Sequence, residues 1–176
     1  MKSYLVFLIV AICTISISND ISAQKVKKSP KSELAQRVGL TDISIIYSRP
    51  GLKGRDLSTL APSGKVWRTG ADEATSITIS NAITIGGKDL AAGTYYLHSI
   101  PADSEWTIII NSKETWGNQY DETGDVMRFS AKATKTAETT ETMTINISDI
   151  DANGKDANLE IRWGNVSVKA PFTVSQ

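Results

Sequence analysis

The chain has 176 residues, of which 40% are hydrophobic, with 19 basic and 19 acidic side chains, one cysteine and one histidine. This length is typical of a single domain that is large enough to bury a core of its own. The balanced charge excludes the basic excess of most nucleic-acid-binding proteins, so no nucleic-acid partner is expected.

The N-terminus has the pattern of a secretory signal peptide. Lys2 precedes a nearly continuous apolar run at residues 5–17, and small residues end at Ala23. We therefore expect a cleaved signal peptide at residues 1–23 and a mature protein in the periplasm or outside the cell. The run is shorter than the about 20 residues of a membrane span, although an uncleaved anchor is the alternative. Because Cys13 leaves with this segment, the mature chain has no thiol for disulfides, catalysis or metal binding.

The rest of the chain has the pattern of an all-β protein. Residues 24–33 lack periodicity and are expected to form a disordered linker, and residues 34–174 are expected to form one domain. Apolar and polar residues alternate in short segments separated by turn residues, which predicts about nine strands. The predicted strand segments are 41–48, 75–80, 83–90 with a tight Gly-Gly turn, 94–100, 106–110, 126–133, 143–148, 159–163 and 166–172.

Between these segments we expect one helical turn at 55–60, a loop at 111–125, and turns at 135–141, 151–155 and 164–165. Several strands have one apolar and one hydroxyl-rich face, as antiparallel sheets with one wet side do. The favoured fold is an antiparallel β-sandwich, and a partly closed β-barrel is the alternative.

The candidate functional face lies at residues 47–75. It contains the run Lys65-Val66-Trp67-Arg68-Thr69-Gly70-Ala71-Asp72-Glu73-Ala74-Thr75, the densest mixture of aromatic and charged residues in the chain. Aromatic rings beside carboxylates and guanidinium groups suit a carbohydrate or a small anionic ligand. The candidate binding residues are Arg49, Arg55, Trp67, Arg68, Asp72, Glu73, Trp116 and Tyr120.

A structural role is the alternative for the same run. Arg68 is expected to fold back onto Glu73 or Asp72 and clamp a loop against the sheet. The indole N–H of Trp67 is expected to reach a backbone carbonyl at the end of the core.

This succession of motifs resembles an exported bacterial family catalogued as domain of unknown function 2911. The resemblance spans about residues 34–172 and implies an exported, mostly β domain, without established catalytic residues. One departure is Asp72, where the family usually has asparagine. The motifs that carry the resemblance are Lys53-Gly54-Arg55, Gly64-Lys65-Val66-Trp67-Arg68-Thr69-Gly70-Ala71-Asp72-Glu73-Ala74-Thr75, Gly93-Thr94-Tyr95-Tyr96-Leu97, Trp106-Thr107-Ile108-Ile109-Ile110-Asn111 and Trp116-Gly117.

Few catalytic chemistries are open to this composition. His98 is the single histidine and lies in a strand with apolar residues on both faces, which favours a buried, hydrogen-bonded role over catalysis. A glycan hydrolase would need a carboxylate pair, for instance Asp72 or Glu73 with Asp121 or Glu122. The three functions open at this point are a non-enzymatic binding module, which is favoured, such a hydrolase, and a structural component of the cell envelope. The sequence indicates no cofactor and no oligomeric state.

Residues 149–160 match the spacing of a calcium-binding loop, with acidic groups at alternate positions, Gly154 at the sixth and Glu160 at the twelfth. The flanking residues alternate as strands do, whereas such loops lie between helices. Asn153-Gly154 is also a common hairpin turn. We therefore expect a hairpin turn here and no metal site.

Overall fold

The computed structural model describes residues 26–117 and 119–175. The expected signal peptide and the start of the expected linker lie outside this range. The described chain contains nine strands and one turn of α-helix, α1 (Leu57–Leu60). The strands are β1 (Lys31–Val38), β2 (Thr41–Ser48), β3 (Ala71–Ile79), β4 (Ile83–Ile85), β5 (Lys88–Leu90), β6 (Gly93–Ile100), β7 (Glu105–Asn111), β8 (Asp125–Ser148) and β9 (Asp156–Val174).

The nine strands form one antiparallel sheet in the order β1-β2-β3-β6-β7-β8-β9-β4-β5. The sheet folds over a single hydrophobic core and does not close into a barrel. In β2, for example, Ile43 and Ile45 are buried while Asp42 is exposed, so the alternation read from the sequence does place one face inward. The predicted antiparallel β-sandwich is confirmed.

The long strands β8 and β9 correct two expected turns. Residues 135–141 and 164–165 were expected to reverse the chain, but both lie inside continuous strands. β8 pairs with β7 through residues 125–132 and with β9 through residues 132–148. The β8–β9 register shifts between Lys135 and Thr140 and again between Thr140 and Thr144, and Gly164 opposite has a positive φ of 58°. Such bulges bend a strand without ending it, which is how a long strand turns a corner of a folded sheet.

The edge strand β1 was not predicted. It pairs antiparallel with β2, from Lys31 opposite Ser48 to Val38 opposite Thr41. Its first three residues, 31–33, lie in the segment 24–33 that was expected to be a linker. Among the helical segments of the described chain, none has the length and apolar character that crossing a membrane requires.

Candidate functional site

A cleft of about 550 Å³ opens beside the start of β3. Its wall contains four cationic side chains, from Lys28, Lys53, Arg55 and Arg68, and the carboxylate of Asp72. The indole rings of Trp67 and Trp163 form part of its lining. We call this site the cleft. It contains four of the eight predicted binding residues, namely Arg55, Trp67, Arg68 and Asp72.

The segment before β3 is held against β6 by backbone and side-chain hydrogen bonds. Trp67 and Ser99 exchange two backbone hydrogen bonds of 2.8 Å each. The hydroxyl of Thr69 donates to Ser99 Oγ at 2.9 Å, and the hydroxyl of Thr75 donates to the carbonyl of Thr69 at 2.8 Å. Thr69 and Thr75 are both fully buried. These bonds fix the backbone on both sides of Arg68, so the position of its side chain at the cleft is set by the fold.

Trp67 joins the cleft to the core. Its indole N–H donates to the carbonyl of Gly70 at 3.1 Å, as predicted. Its ring stacks on Trp163 with 5.5 Å between centroids, and it meets Trp106 edge-on at 6.1 Å. Edge-on and offset arrangements are the favourable ones for aromatic pairs. The base of the cleft is therefore a rigid aromatic cluster.

The backbone around the cleft contains unusual conformations. Four non-glycine residues in the described chain have a positive φ. Two of them line the cleft, Lys53 at 50° and Asp72 at 55°, and a third, Thr69 at 50°, follows Arg68. This left-handed conformation costs energy in residues with a β-carbon and persists where the surroundings impose it. Strain of this kind concentrates at binding and catalytic sites, which supports a function for the cleft.

Two cations of the cleft, Lys53 and Arg55, donate hydrogen bonds to backbone carbonyls. The guanidinium of Arg55 donates to the carbonyls of Leu52 at 2.9 Å and Gly51 at 3.0 Å. The ammonium of Lys53 donates to the carbonyl of Lys28 at 3.2 Å. Within residues 26–117 and 119–175, no carboxylate forms an ion pair with the side chains of these two residues or of Lys28. Their positive charge is therefore available to a ligand.

Glu73 does not reach the cleft. Its carboxylate accepts hydrogen bonds from the ammonium of Lys27 and from Ser48 Oγ. The hydrogen bond from Lys27 is the main cause that lowers the pKa of Glu73. β3 begins at Ala71, four residues earlier than expected, so both acidic residues belong to the strand. Asp72 lines the cleft, whereas Glu73 does not.

The expected clamp from Arg68 onto Asp72 or Glu73 stays a prediction. The described contacts of the Glu73 carboxylate are with Lys27 and Ser48. Arg49 also lies apart from the cleft. Its Nε donates to the carbonyl of Met143 at 2.9 Å, which ties the end of β2 to β8.

Trp116 and Tyr120 lie in a separate loop, between β7 and β8. Trp116 is exposed, with 64% of its surface accessible. The hydroxyl of Tyr120 donates to Asp125 Oδ2 at 2.6 Å and accepts from Arg128 at 2.6 Å. Burial and the bond to Asp125 raise the pKa of Tyr120 to about 12. Burial of Asp125 opposes its ionisation, but hydrogen bonds from Tyr120, Arg128 and Asn111 outweigh it and lower its pKa. These contacts hold the loop on the sheet.

His98 lies under this loop and is 1% exposed. Its Nε2 is 3.4 Å from the hydroxyl of Thr115, and its ring centroid is 5.1 Å from that of Tyr120. The buried, hydrogen-bonded histidine expected from the sequence is confirmed. Burial lowers the pKa of His98, because the charged imidazolium loses its hydration.

The carboxylates proposed for hydrolysis lie on different elements, Asp72 and Glu73 on β3 and Asp121 and Glu122 in the loop after β7. Asp72 lines the cleft, whereas Asp121 is bound by Lys113 Nζ at 2.5 Å and by Thr123 Oγ1 at 2.6 Å in the loop after β7. The bonds from Lys113 and Thr123 lower the pKa of Asp121 to about 2. Glu122 begins a short 3₁₀ turn beside it.

The possible calcium loop is the expected hairpin between β8 and β9. Gly154 N donates to the carbonyl of Asp151 at 3.0 Å, and Asp151 N donates to the carbonyl of Asp156 at 2.9 Å. The carboxylate of Asp149 accepts from Lys169 at 2.6 Å. In the described chain, no three acidic, histidine or cysteine side chains are grouped as a metal site requires.

Three charged or aromatic residues of the cleft were not among the predicted binding residues. Lys28 lies in the expected linker 24–33, Lys53 was named only in the motif Lys53-Gly54-Arg55, and Trp163 ends the predicted strand 159–163. Lys53 could have been found from its place between Gly51 and Gly54, two turn residues in a short loop. Nothing near Lys28 or Trp163 in the sequence points to the cleft.

The family can be assigned from comparison with known proteins. Neither the curated proteins nor the solved structures gave a match. A family model does match residues 29–172, which include the described strands from β1 to β8 and all the cleft residues except Lys28. The chain therefore belongs to the family described as "Protein of unknown function (DUF2911)".

Proposed function

We propose that the protein is an exported binding module, without catalytic activity, that holds an acidic sugar or a small hydroxycarboxylic acid in the cleft. The observation that carries this proposal is the group of cations at the cleft. The ammonium of Lys53 and the guanidinium of Arg55 line it without an ion pair to a carboxylate in the described chain, and Lys28 and Arg68 also line it.

The composition of the cleft suits a ligand that has both an acid group and hydroxyls. Ammonium and guanidinium groups bind carboxylates through charge-assisted hydrogen bonds. The carboxylate of Asp72 would repel a simple anion but can accept hydrogen bonds from hydroxyls. A volume of about 550 Å³ accommodates one or two sugar rings, since ligand sites commonly enclose about 300–1,000 Å³.

Binding without hydrolysis is favoured by the arrangement of acidic groups. Glycoside hydrolysis generally requires two carboxyl groups on either side of the scissile bond. Of the four carboxylates proposed for that role, Asp72 alone lines the cleft, since Glu73 is bound by Ser48 and Asp121 is engaged by Lys113. His98 does not line the cleft either, because it is buried beneath the loop after β7.

The test is calorimetric titration of the purified protein with digalacturonate and with the matching neutral galactose disaccharide. We expect the acidic disaccharide to bind and the neutral one to bind far more weakly at the cleft. Arg55→Gln and Lys53→Gln should each weaken binding by about tenfold or more, since hydrogen bonds to charged groups contribute about 1.5–3 kcal/mol. Lys132→Gln, at an exposed position of β8, is the matched control and should bind normally.

Added salt should weaken binding, because the interacting charges are partly exposed. The absence of binding to digalacturonate, or equal binding by the Arg55 variant and the control, would contradict the proposal. Export is tested separately by the mass of the protein recovered outside the cytoplasm, which should correspond to a chain that begins at Gln24.

A further inference from the structure

A second groove lies on the outer face of β2, β3 and β6, and we propose that it binds a neutral sugar. It has a volume of about 270 Å³, and its polar lining includes Lys31, Ser48, Glu73, Ser76, Tyr96 and Glu114. We call this site the trough. It goes beyond the proposed function because it shares no lining residue with the cleft.

The strand register determines which side chains form the floor of the trough. Ile46 lies opposite Ser76, and Ser76 lies opposite Tyr96, so these three side chains stand in one row on the outer face. Ile46 and Tyr96 are half-buried. The floor therefore combines an apolar side chain and an aromatic ring with the hydroxyl of Ser76, and Ser48 and Thr94 add hydroxyls in the neighbouring rows.

The wall formed by Glu114 is held in place before any ligand arrives. Tyr96 donates its hydroxyl hydrogen to Glu114 Oε2 at 3.3 Å. At the base of the loop, the side chain of Asn111 donates to the carbonyl of Asp121 at 2.9 Å and accepts from Lys113 N at 2.7 Å. Preorganisation of this kind lowers the entropic cost of binding.

The charge of the trough favours a neutral ligand. The carboxylates of Glu73 and Glu114 line the trough together with the ammonium of Lys31, and Glu73 is also bound by Lys27. Opposite charges are therefore balanced, in contrast to the cleft. Carboxylate oxygens and hydroxyls bind the hydroxyls of a sugar, and an aromatic face packs against its C–H groups.

The neighbouring loop supplies a second aromatic side chain. Trp116 is two residues from Glu114, which places their Cα atoms at most about 7 Å apart. Its indole ring is 64% exposed at the surface of the loop that carries Glu114.

The trough and the cleft are lined by different residues, even where two of these residues are adjacent in the chain. Asp72 lines the cleft and Glu73, the next residue, lines the trough. Substitutions at one site therefore leave the side chains of the other in place, and the two binding activities can be tested independently.

The experiment is calorimetric titration of the purified protein with four neutral tetrasaccharides, those of glucose, xylose, mannose and galactose, at concentrations on the order of 10 mM. We expect at least one of them to bind. Tyr96→Phe and Glu114→Gln should each weaken this binding about fivefold or more through the loss of a hydrogen-bonding group. Glu138→Gln, at an exposed position of β8, is the matched control. Urea denaturation of each variant verifies that it is folded.

Arg55→Gln should leave the neutral sugar bound as in the wild type, although it weakens digalacturonate binding at the cleft. The absence of binding to all four tetrasaccharides would overturn the trough proposal, and so would unchanged affinity in both trough variants. Either result can occur while the cleft still binds digalacturonate, so failure at one site is distinguishable from failure at the other.

Discussion

Replacement of Trp67 by alanine should strongly destabilise the protein. Trp67 is 8% exposed, stacks on Trp163 at 5.5 Å and meets Trp106 at 6.1 Å. Its N–H satisfies the carbonyl of Gly70. Trp67→Ala removes all of these contacts at once and leaves a cavity where the cleft meets the core.

The size of the effect follows from buried area and from the aromatic pairs. A tryptophan buries about 150–250 Å², which at about 25 cal/mol per Å² corresponds to about 4–6 kcal/mol as an upper bound. Aromatic pairs add about 0.5–1.5 kcal/mol each, while partial collapse of the cavity returns some of the loss. We expect Trp67→Ala to lower the free energy of unfolding by about 3–5 kcal/mol. Trp67→Phe keeps a ring but loses the hydrogen bond to Gly70, so its cost should be smaller.

The assay is urea denaturation followed by circular dichroism, with Trp116→Ala as the control. Trp116 is the same residue type but is 64% exposed, so its removal should change stability by less than about 0.5 kcal/mol. If Trp67→Ala cost less than about 1 kcal/mol, or no more than the control, then Trp67 would not be part of the core and the described base of the cleft would be wrong.

Three further predictions concern other parts of the fold. Gly86→Ala should destabilise much more than Gly87→Ala: both glycines have positive φ, but an added β-carbon would lie 2.3 Å from the ring of Phe129 at Gly86 and would contact nothing at Gly87. Equal unfolding midpoints in urea would contradict this packing. Because burial places the folded pKa of His98 below 6.5, the unfolded chain takes up the proton first, so stability should fall as the pH is lowered through 6.5. Unfolding midpoints measured from pH 7.5 to 5.5 should show a smaller fall in His98→Gln. Calorimetry at micromolar calcium should show no binding at residues 149–160, and a one-site isotherm would contradict the hairpin assignment.

The strands that bury one face were predictable from the sequence. β2 alternates Ile43, Ile45 and Tyr47 with more polar positions, and the Gly-Gly turn separates β4 from β5 as expected. The edge strand β1 was missed because Val38 is its one buried residue, so it has little hydrophobic periodicity. The centre of β8 was read as a turn because its threonine-rich residues are mostly exposed where the register shifts.

Part of the cleft could be predicted because four of its residues lie close together in the sequence. Arg55, Trp67, Arg68 and Asp72 come from one short stretch, and the turn residues between them keep that stretch at one end of the sheet. Trp163 could not be assigned, because it is brought in by β9 from about a hundred residues away. Whether Asp72 and Glu73 belong to the strand depends on where β3 begins, and boundaries of strands are poorly determined by sequence patterns.

The most direct test of the central claim is to observe the indole N–H of Trp67 by nuclear magnetic resonance while digalacturonate is added. Trp67 lines the cleft and its N–H has a defined partner in Gly70, so its signal reports on this site. The signal can be assigned by its loss in Trp67→Phe. We expect a saturable shift of the Trp67 indole signal that requires about tenfold more digalacturonate in Arg55→Gln, with the signal of the exposed Trp116 unchanged. A Trp67 signal that stays fixed during the titration, or a shift confined to Trp116, would contradict it.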